Sequence, residues 1–284
     1  LGLTPSILSN LEALGYETPT PIQSQAIVAL LEGNDVLGLA QTGTGKTAAF
    51  SLPLLCKIDT SSNKPQALVL CPTRELAIQV AEAFQAYARG SDNFHVLPIY
   101  GGADMRNQLR ALKKKPQVIV GTPGRVMDHL RRGTLDLSDL KHLVLDEADE
   151  MLRMGFIEDI DWILEHTPED KQVALFSATM PVQIKRITDQ YQKDPVKIEI
   201  KASQTDLSRI EQFAWRAQGI DKLEALTRVL EIEEWNAILI FVRTRVECQF
   251  LTEKLSARGY AASALSGEVA QKQREEILSA MKRG

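Results

Sequence analysis

Val36-Leu37-Gly38-Leu39-Ala40-Gln41-Thr42-Gly43-Thr44-Gly45-Lys46-Thr47 is the stretch on which the fold turns. It runs from a short apolar segment through a glycine-spaced turn into the apolar stretch Ala48–Leu55, in the order strand, loop, helix. Glycines let the backbone curl so that its N–H groups face a phosphate chain, and the start of the helix adds positive potential. Lys46 can then reach the β and γ phosphates, and the Thr47 hydroxyl can join a Mg²⁺ shell. Ala40 stands where the general pattern has its first glycine. The bland alternative is a glycine-rich turn with a chance lysine. A strand before the turn and a helix after it argue against that.

Outward from this loop the pattern alternates. Apolar runs recur at Val36–Ala40, Ala67–Cys71, Val96–Tyr100, Val118–Val120, Leu143–Leu145 and Val173–Phe176. Most hold few polar residues, as strands buried on both faces require. Amphipathic stretches such as Arg74–Arg89 and Val182–Gln192 lie between them. The alternation predicts an α/β fold, a parallel sheet with helices on both sides, whose ligands gather at the carboxyl ends of the strands. Upstream, Thr4-Pro5 and Thr20-Pro21 each pair an N-cap with proline at the first helical position, and Gly15 and Gly33 close the two helices. At Lys201–Ser208 the pattern fades into small polar residues, an expected interdomain linker. Beyond it, strands are expected at Ile210–Ala217, Ala237–Val242 and Ala261–Leu265, with helices at Asp221–Leu230, Val246–Arg258 and Gln271–Lys282.

The chain has 284 residues, 44% of them hydrophobic, and a formal net charge of −4. That is enough for one large or two ordinary domains with a substantial core. It is too little positive charge for indiscriminate binding to polyanions, so any grip on nucleic acid has to be local. Cys56, Cys71 and Cys248 lie far apart with no histidine at ligand spacing, against a disulfide framework or structural zinc and for a reducing, cytoplasmic compartment. Leu1–Leu14 is not a signal peptide, and no apolar run reaches the roughly 18 residues of a membrane helix. The chain opens on Leu1 rather than Met, so the native start is expected upstream. Lys113-Lys114-Lys115 reads as a solvated helix end, and His95, His129, His142 and His166 read as structural.

A second acidic landmark follows the strand His142–Leu145: Asp146-Glu147-Ala148-Asp149. An acid at a strand end is placed to hold Mg²⁺ beside the phosphate loop, and Glu147 next to it can orient or deprotonate an attacking water. Alone the run would be a helix start, where the dipole favours carboxylates. The phosphate loop reverses that judgement. Further short motifs appear in order: Gly15-Tyr16-Glu17-Thr18-Pro19-Thr20-Pro21-Ile22-Gln23, Pro72-Thr73-Arg74-Glu75-Leu76, Gly101-Gly102, Thr122-Pro123-Gly124-Arg125 and Ser177-Ala178-Thr179. Past the linker come Ile240-Phe241-Val242-Arg243-Thr244, Ser266-Gly267-Glu268 and Gln271-x-x-Arg274.

This ordered set resembles the DEAD-box ATP-dependent RNA helicases of superfamily 2, over essentially the whole chain. Asp146–Gly155 (DEADEMLRMG) is most similar to their bacterial cold-shock type. The resemblance implies a RecA-like P-loop domain over 1–200 with an N-terminal Q motif, a linker over 201–208 and a partial second RecA-like domain over 209–284. It implies ATP and Mg²⁺ as cofactors, with Gln41, Thr42, Gly43, Thr44, Gly45, Lys46 and Thr47 around the phosphates. Gln23 would read the adenine edge, and Tyr16 would lie against the base. Lys46, Asp146 and Glu147 carry the catalytic roles, and Thr47 and Asp146 the metal. Asp149, Ser177 and Thr179 couple hydrolysis to strand separation. Pro72, Thr73, Arg74, Gly101, Gly102, Thr122, Pro123, Gly124, Arg125, Arg243, Thr244 and Gly267 would hold RNA by its backbone, without regard to sequence. Ser266-Gly267-Glu268 stands where the family often has HGD. Partners in ribosome assembly or RNA decay are implied by the same resemblance, and no membrane.

The family's remaining second-domain motifs, including the arginines that reach the γ-phosphate, are not among these 284 residues. The chain as given is therefore expected to be truncated, and to bind nucleotide but hydrolyse it poorly. The alternative is a non-catalytic RNA- or protein-binding fragment of such a helicase. A DNA translocase of the same two-domain plan is disfavoured by the Q motif and the PTREL–TPGR–SAT set. A P-loop kinase or GTPase is disfavoured because no guanine-reading N-K-x-D occurs.

Overall fold

Six apolar runs and one charged one, Val196-Lys197-Ile198-Glu199, hydrogen-bond into a seven-stranded sheet in the computed structural model, which describes residues 1–200, 211–216 and 218–283. The strands are β1 Val36–Leu39, β2 Ala67–Leu70, β3 Val96–Ile99, β4 Val118–Gly121, β5 His142–Leu145, β6 Gln172–Ser177 and β7 Val196–Glu199. They stand in the order β3-β4-β2-β5-β6-β1-β7. Every pairing is parallel, so the carboxyl ends share one edge of the sheet. Each position of β2, β4 and β5 is buried. A parallel sheet covered on both faces demands this, because alternation would bring a polar row under the helices.

Among the described residues of this unit, α1 Pro5–Ala13 and α2 Pro21–Leu31 precede β1, and seven helices connect the strands: α3 Lys46–Lys57, α4 Arg74–Tyr87, α5 Met105–Leu112, α6 Pro123–Arg131, α7 Ala148–Arg153, α8 Ile157–Glu165 and α9 Val182–Tyr191. On one face α2, α3 and α4 pack Ala26, Phe50 and Phe84 onto Val36, Val69 and Phe176. On the other, α6, α8 and α9 bring Val126, Ile160, Ile163, Ile184 and Ile187 against Leu68, Ile119, Leu143 and Leu175. Burying each such side chain fully contributes about 1.5–3 kcal/mol. Helix α1 adds a third, smaller cluster through Ile7 and Leu11 against Ile27, Leu52 and Tyr87.

Strand β7 was not among the expected strands. Of its four residues Ile198 is buried, while Lys197 and Glu199 point outward. Charged side chains on an edge strand discourage further pairing, and they also erase the apolar run by which a strand is read from sequence.

The chain divides into two compact units, Leu1–Asp206 and Leu207–Gly284. The expected linker Lys201–Ser208 lies outside the described residues. In the second unit the described residues form three helices, α10 Lys222–Ile232, α11 Arg245–Ser256 and α12 Gln271–Arg283. The expected strands there need correction. Ala237–Val242 and Ala261–Leu265 form no ladder, and neither does the described part, 211–216, of Ile210–Ala217. Phe213 and Phe241 are 88% and 91% exposed. An apolar run becomes a parallel strand only when neighbours supply a hydrogen-bond ladder and helices cover both faces. Ala225, Leu230 and Leu255 are the described buried hydrophobics of this unit, too few to provide that cover.

Candidate active site

Apart from Gly15–Gln23, which precedes β1, the motifs singled out in the first unit follow β1 to β6, so one edge of the sheet collects them. Strand order then sorts them. On β5, β6 and β1, in that spatial order, sit the acidic run, Ser177-Ala178-Thr179 and the phosphate loop. On β3, β4 and β2 sit Gly101-Gly102, Thr122–Arg125 and Pro72–Arg74.

In the phosphate loop, Gly43 and Gly45 take positive φ values of 79° and 91°. Lys46 is the first residue of α3, and its Nζ donates to Ala40 O at 3.0 Å, the carbonyl that opens the loop. Gln41, Thr42 and Gly43 are exposed, whereas Lys46 is buried. Gln23 spans two elements. Its Oε1 accepts from Thr20 N–H at 2.9 Å, and its Nε2 donates to Gly45 O at 3.2 Å. The Thr20 hydroxyl donates to Thr44 O at 2.8 Å. The start of α2 is thus tied to the loop at two carbonyls, and both ends of the Gln23 amide are engaged. Tyr16 shares a 2.8 Å hydroxyl contact with Tyr87 and meets its ring edge-on. Thr20 and Tyr87 had no place in the sequence-based site; their partners are far away in the chain.

Asp146 follows β5 and is 2% exposed, with its Oδ1 buried and lacking a hydrogen-bond partner. Burial pushes its carboxyl up to about 7, against the pull of Lys46. Glu147 takes the left-handed conformation, φ 52° and ψ 52°, at the start of α7. Its carboxyl is also raised by burial, with Lys46 opposing. Asp149 faces the end of β6. It accepts from Thr179 Oγ1 at 2.8 Å, Thr179 N at 3.1 Å and Ala178 N at 3.4 Å. Burial raises its pKa, but these hydrogen bonds outweigh burial and hold the carboxyl below its ordinary value. Ser177 Oγ donates to Thr179 O at 2.6 Å, closing the turn that presents the two N–H groups.

On the other half, Thr73 is the N-cap of α4, its side chain accepting from Leu76 N, and Thr122 precedes Pro123 at the start of α6. Both helix starts therefore lie at the same edge, where the amino-terminal end of a helix favours anions. The Arg74 guanidinium lies against Gly102 so closely that a Cβ there would collide with it. Arg125 Nη2 donates to Ala103 O at 3.3 Å and its Nη1 to Gln108 Oε1 at 3.3 Å. In the second unit, Thr244 caps α11, accepting from Glu247 N at 3.1 Å, and Arg243 and Gly267 are exposed. Arg245 pairs with Glu268, and Arg274 Nη2 donates to Ser266 O at 2.8 Å.

The DEAD/DEAH box helicase profile matches residues 20–187, more than half of the chain. The chain belongs to this family. The helicase conserved C-terminal domain matches residues 221–284. Over all 284 residues the chain is 51% identical to ATP-dependent RNA helicase DeaD of Haemophilus influenzae and 53% to that of Escherichia coli. It covers 46% and 45% of those two proteins, so it spans about half the length of the curated relatives it matches. A crystal structure of a DEAD box protein from the hyperthermophile Methanococcus jannaschii superposes with a TM-score of 0.69 at 39% identity, covering the whole of this chain and 76% of that one. Family membership makes Asp146–Asp149 the DEAD box and fixes the first unit as RecA-like. No helix among the described residues is long and apolar enough to cross a membrane.

The DEAD box and the phosphate loop fit a nucleotide with its divalent ion. The orphaned Oδ1 of Asp146 is a buried acceptor with nothing to accept from, a group whose desolvation cost a cation would offset. Thr47 follows Lys46 in the first turn of α3, which follows β1, the strand two places along the sheet from β5.

Proposed function

We propose that the chain is the nucleotide- and RNA-binding part of an ATP-dependent RNA helicase. ATP would occupy the β5-β6-β1 half of the sheet edge, and the backbone of single-stranded RNA the β3-β4-β2 half. The observation that carries this reading is the sorting itself: two chemically distinct half-sites stand side by side on one rigid edge.

Each residue has a defined task. The Lys46 amine, resting on Ala40 O, exchanges that carbonyl for the β and γ phosphate oxygens. The loop N–H groups from Gln41 to Thr47 receive the remaining charge. Thr47 and Asp146 would hold Mg²⁺, which neutralises phosphate charge when bound. Glu147, whose carboxyl is raised above its ordinary value by burial, would orient water and take its proton. Asp149 ties the acidic turn to Ala178 and Thr179, so a displacement of either is felt by the other. Thr73 and Thr122, with Arg74 and Arg125, grip phosphates without reading bases, which gives sequence-independent binding. The activity assigned is separation of short RNA duplexes coupled to ATP hydrolysis. Three free cysteines suit a reducing, cytoplasmic setting.

An arginine that reaches the γ-phosphate is worth about 10³–10⁵ in rate, and none is assigned to that role within these residues. The chain should bind MgATP yet hydrolyse it slowly. The test compares RNA-stimulated ATPase of this chain with a version extended through a complete second domain. Hydrolysis by the extended version alone, accelerated by RNA, is the expected result. ATP binding by both with no response to RNA would remove the RNA assignment. Equal turnover by both would remove the expected impairment.

A further inference from the structure

Gln108 lies on the buried side of α5, a helix otherwise rich in exposed charge, and is 5% exposed. Its amide is fully engaged. Nε2 donates to Tyr100 O at 2.9 Å, at the end of β3. Oε1 faces two nitrogens, Arg125 Nη1 at 3.3 Å and His129 Nε2 at 3.0 Å. A guanidinium only donates, so the amide oxygen must face it. The same oxygen then requires a proton on His129 Nε2. This leaves Nδ1 of the neutral ring to accept the single Thr134 hydroxyl proton at 2.8 Å, a shorter contact than the 3.1 Å to the competing acceptor His129 O. Burial, reinforced by the charge of Arg125, depresses the His129 pKa and favours that neutral ring. His129 itself is 0% exposed.

The consequence is a chain of fixed groups behind one exposed-edge arginine. Thr134 sets the His129 ring, His129 and Tyr100 O set the Gln108 amide, and the amide sets Arg125. Arg125 in turn reaches Ala103 O, the residue after the Gly101-Gly102 doublet. Its Nη1 also lies 3.9 Å from Met105 Sδ. A long cationic side chain left to itself would sample many rotamers, and ordering it on binding opposes affinity. Held in advance, the guanidinium meets a phosphate without that loss.

We propose that Gln108 and His129 are positioning residues that hold the Arg125 guanidinium at the Gly101–Ala103 turn and thereby set the affinity for the RNA backbone. The proposal rests on the reading of Arg125 as a phosphate contact. Gln108 and His129 are buried, and they act through Arg125.

The experiment measures binding of a fluorescent single-stranded oligouridine and of a fluorescent ATP analogue to the 284-residue chain, with melting temperature alongside. Gln108→Met removes the acceptor at similar volume and should weaken RNA binding about tenfold while the analogue binds as before. Arg125→Lys keeps the charge but not the fork, and should lose about as much as Gln108→Met. The two changes combined should lose little more than either, because both act through one contact. Unchanged RNA affinity in Gln108→Met, additive losses in the double variant, or parallel loss of RNA, nucleotide and melting temperature would each overturn the positioning role. If Arg125→Ala leaves RNA binding intact, or the unaltered chain binds no RNA, the RNA reading fails first and this inference with it.

Discussion

At the residue scale, chemistry was legible and partnership was not. Lys46, Asp146 and Glu147 are proposed from the phosphate loop and the strand-end acid taken together, and the fold brings the two to one sheet edge, where Lys46 opposes the effect of burial on both carboxyls. Gln23 could not be placed in the same way: its hold on Thr20 N–H and Gly45 O depends on two segments that only the fold brings together. Asp146 illustrates what function demands of a residue. Its buried, unpartnered oxygen opposes folding, so Asp146→Asn should raise stability by about 1–3 kcal/mol in urea unfolding while reducing ATP turnover of the extended protein to background. Unchanged stability would mean that the carboxylate is satisfied in solution. His142 gives the pH dependence. Burial, reinforced by Lys57, lowers its pKa to about 4, whereas an unfolded histidine titrates near 6.5. Between those values the unfolded chain takes up a proton that the folded chain refuses. Its contribution is therefore intact above about 6.5 and is lost as pH falls towards 4. Unfolding free energy should drop by roughly 1–2 kcal/mol from pH 7 to pH 5 on this account, and His142→Gln should flatten the slope.

At the scale of elements, the six apolar strands were read correctly because a doubly covered parallel sheet writes itself as unbroken apolar runs. The same criterion failed in two directions. It passed over β7, whose single buried residue, Ile198, sits between Lys197 and Glu199. It also over-read Ala237–Val242 and Ala261–Leu265, where apolar residues lack strand partners among the described residues. Pattern reports what a segment could bury; pairing depends on what stands beside it. Helices were more legible, since caps such as Thr73 and Thr244 act within four residues of themselves. One junction of elements can be tested directly. Gly121 ends β4 where α6 leaves the sheet, and an added Cβ would stand 2.5 Å from Val126 Cγ2 and 2.8 Å from Ile99 O. The backbone carbonyl cannot rotate away as a side chain does. Gly121→Ala should therefore cost about 1–3 kcal/mol in chemical denaturation and weaken RNA binding more than nucleotide binding, because it moves the start of α6. Wild-type stability in that variant would show that β4 and α6 can separate freely.

At the scale of the whole molecule, net charge and strand order act together. A chain of formal charge −4 cannot hold RNA by a general field. On the proposed reading its cations must be concentrated where phosphates lie, and the sheet would do this by placing Arg74 and Arg125 beyond β2 and β4, with the acidic run beyond β5 next to β2. Acidic and basic half-sites are thus neighbours on one edge yet stand on different strands. Two outcomes follow for the 284-residue chain. First, the ligands should be separable: Lys46→Ala should abolish binding of an ATP analogue and leave oligouridine binding within about twofold, and Arg74→Ala should do the reverse. Second, RNA affinity should fall with salt in proportion to few phosphates. Single strands lose about 0.7 in the logarithmic slope per phosphate neutralised. Two arginines, with uncharged N–H groups at two helix ends, then predict a slope between about −1 and −2. A markedly steeper slope would place additional cations on the RNA, and the exposed Arg106 and Arg110, on the helix that follows the Gly101–Ala103 turn, would be the first to examine by charge reversal. A slope near zero would remove phosphate recognition from this edge, because helix-end N–H groups carry only partial charge and could not by themselves hold a polyanion against an overall negative protein.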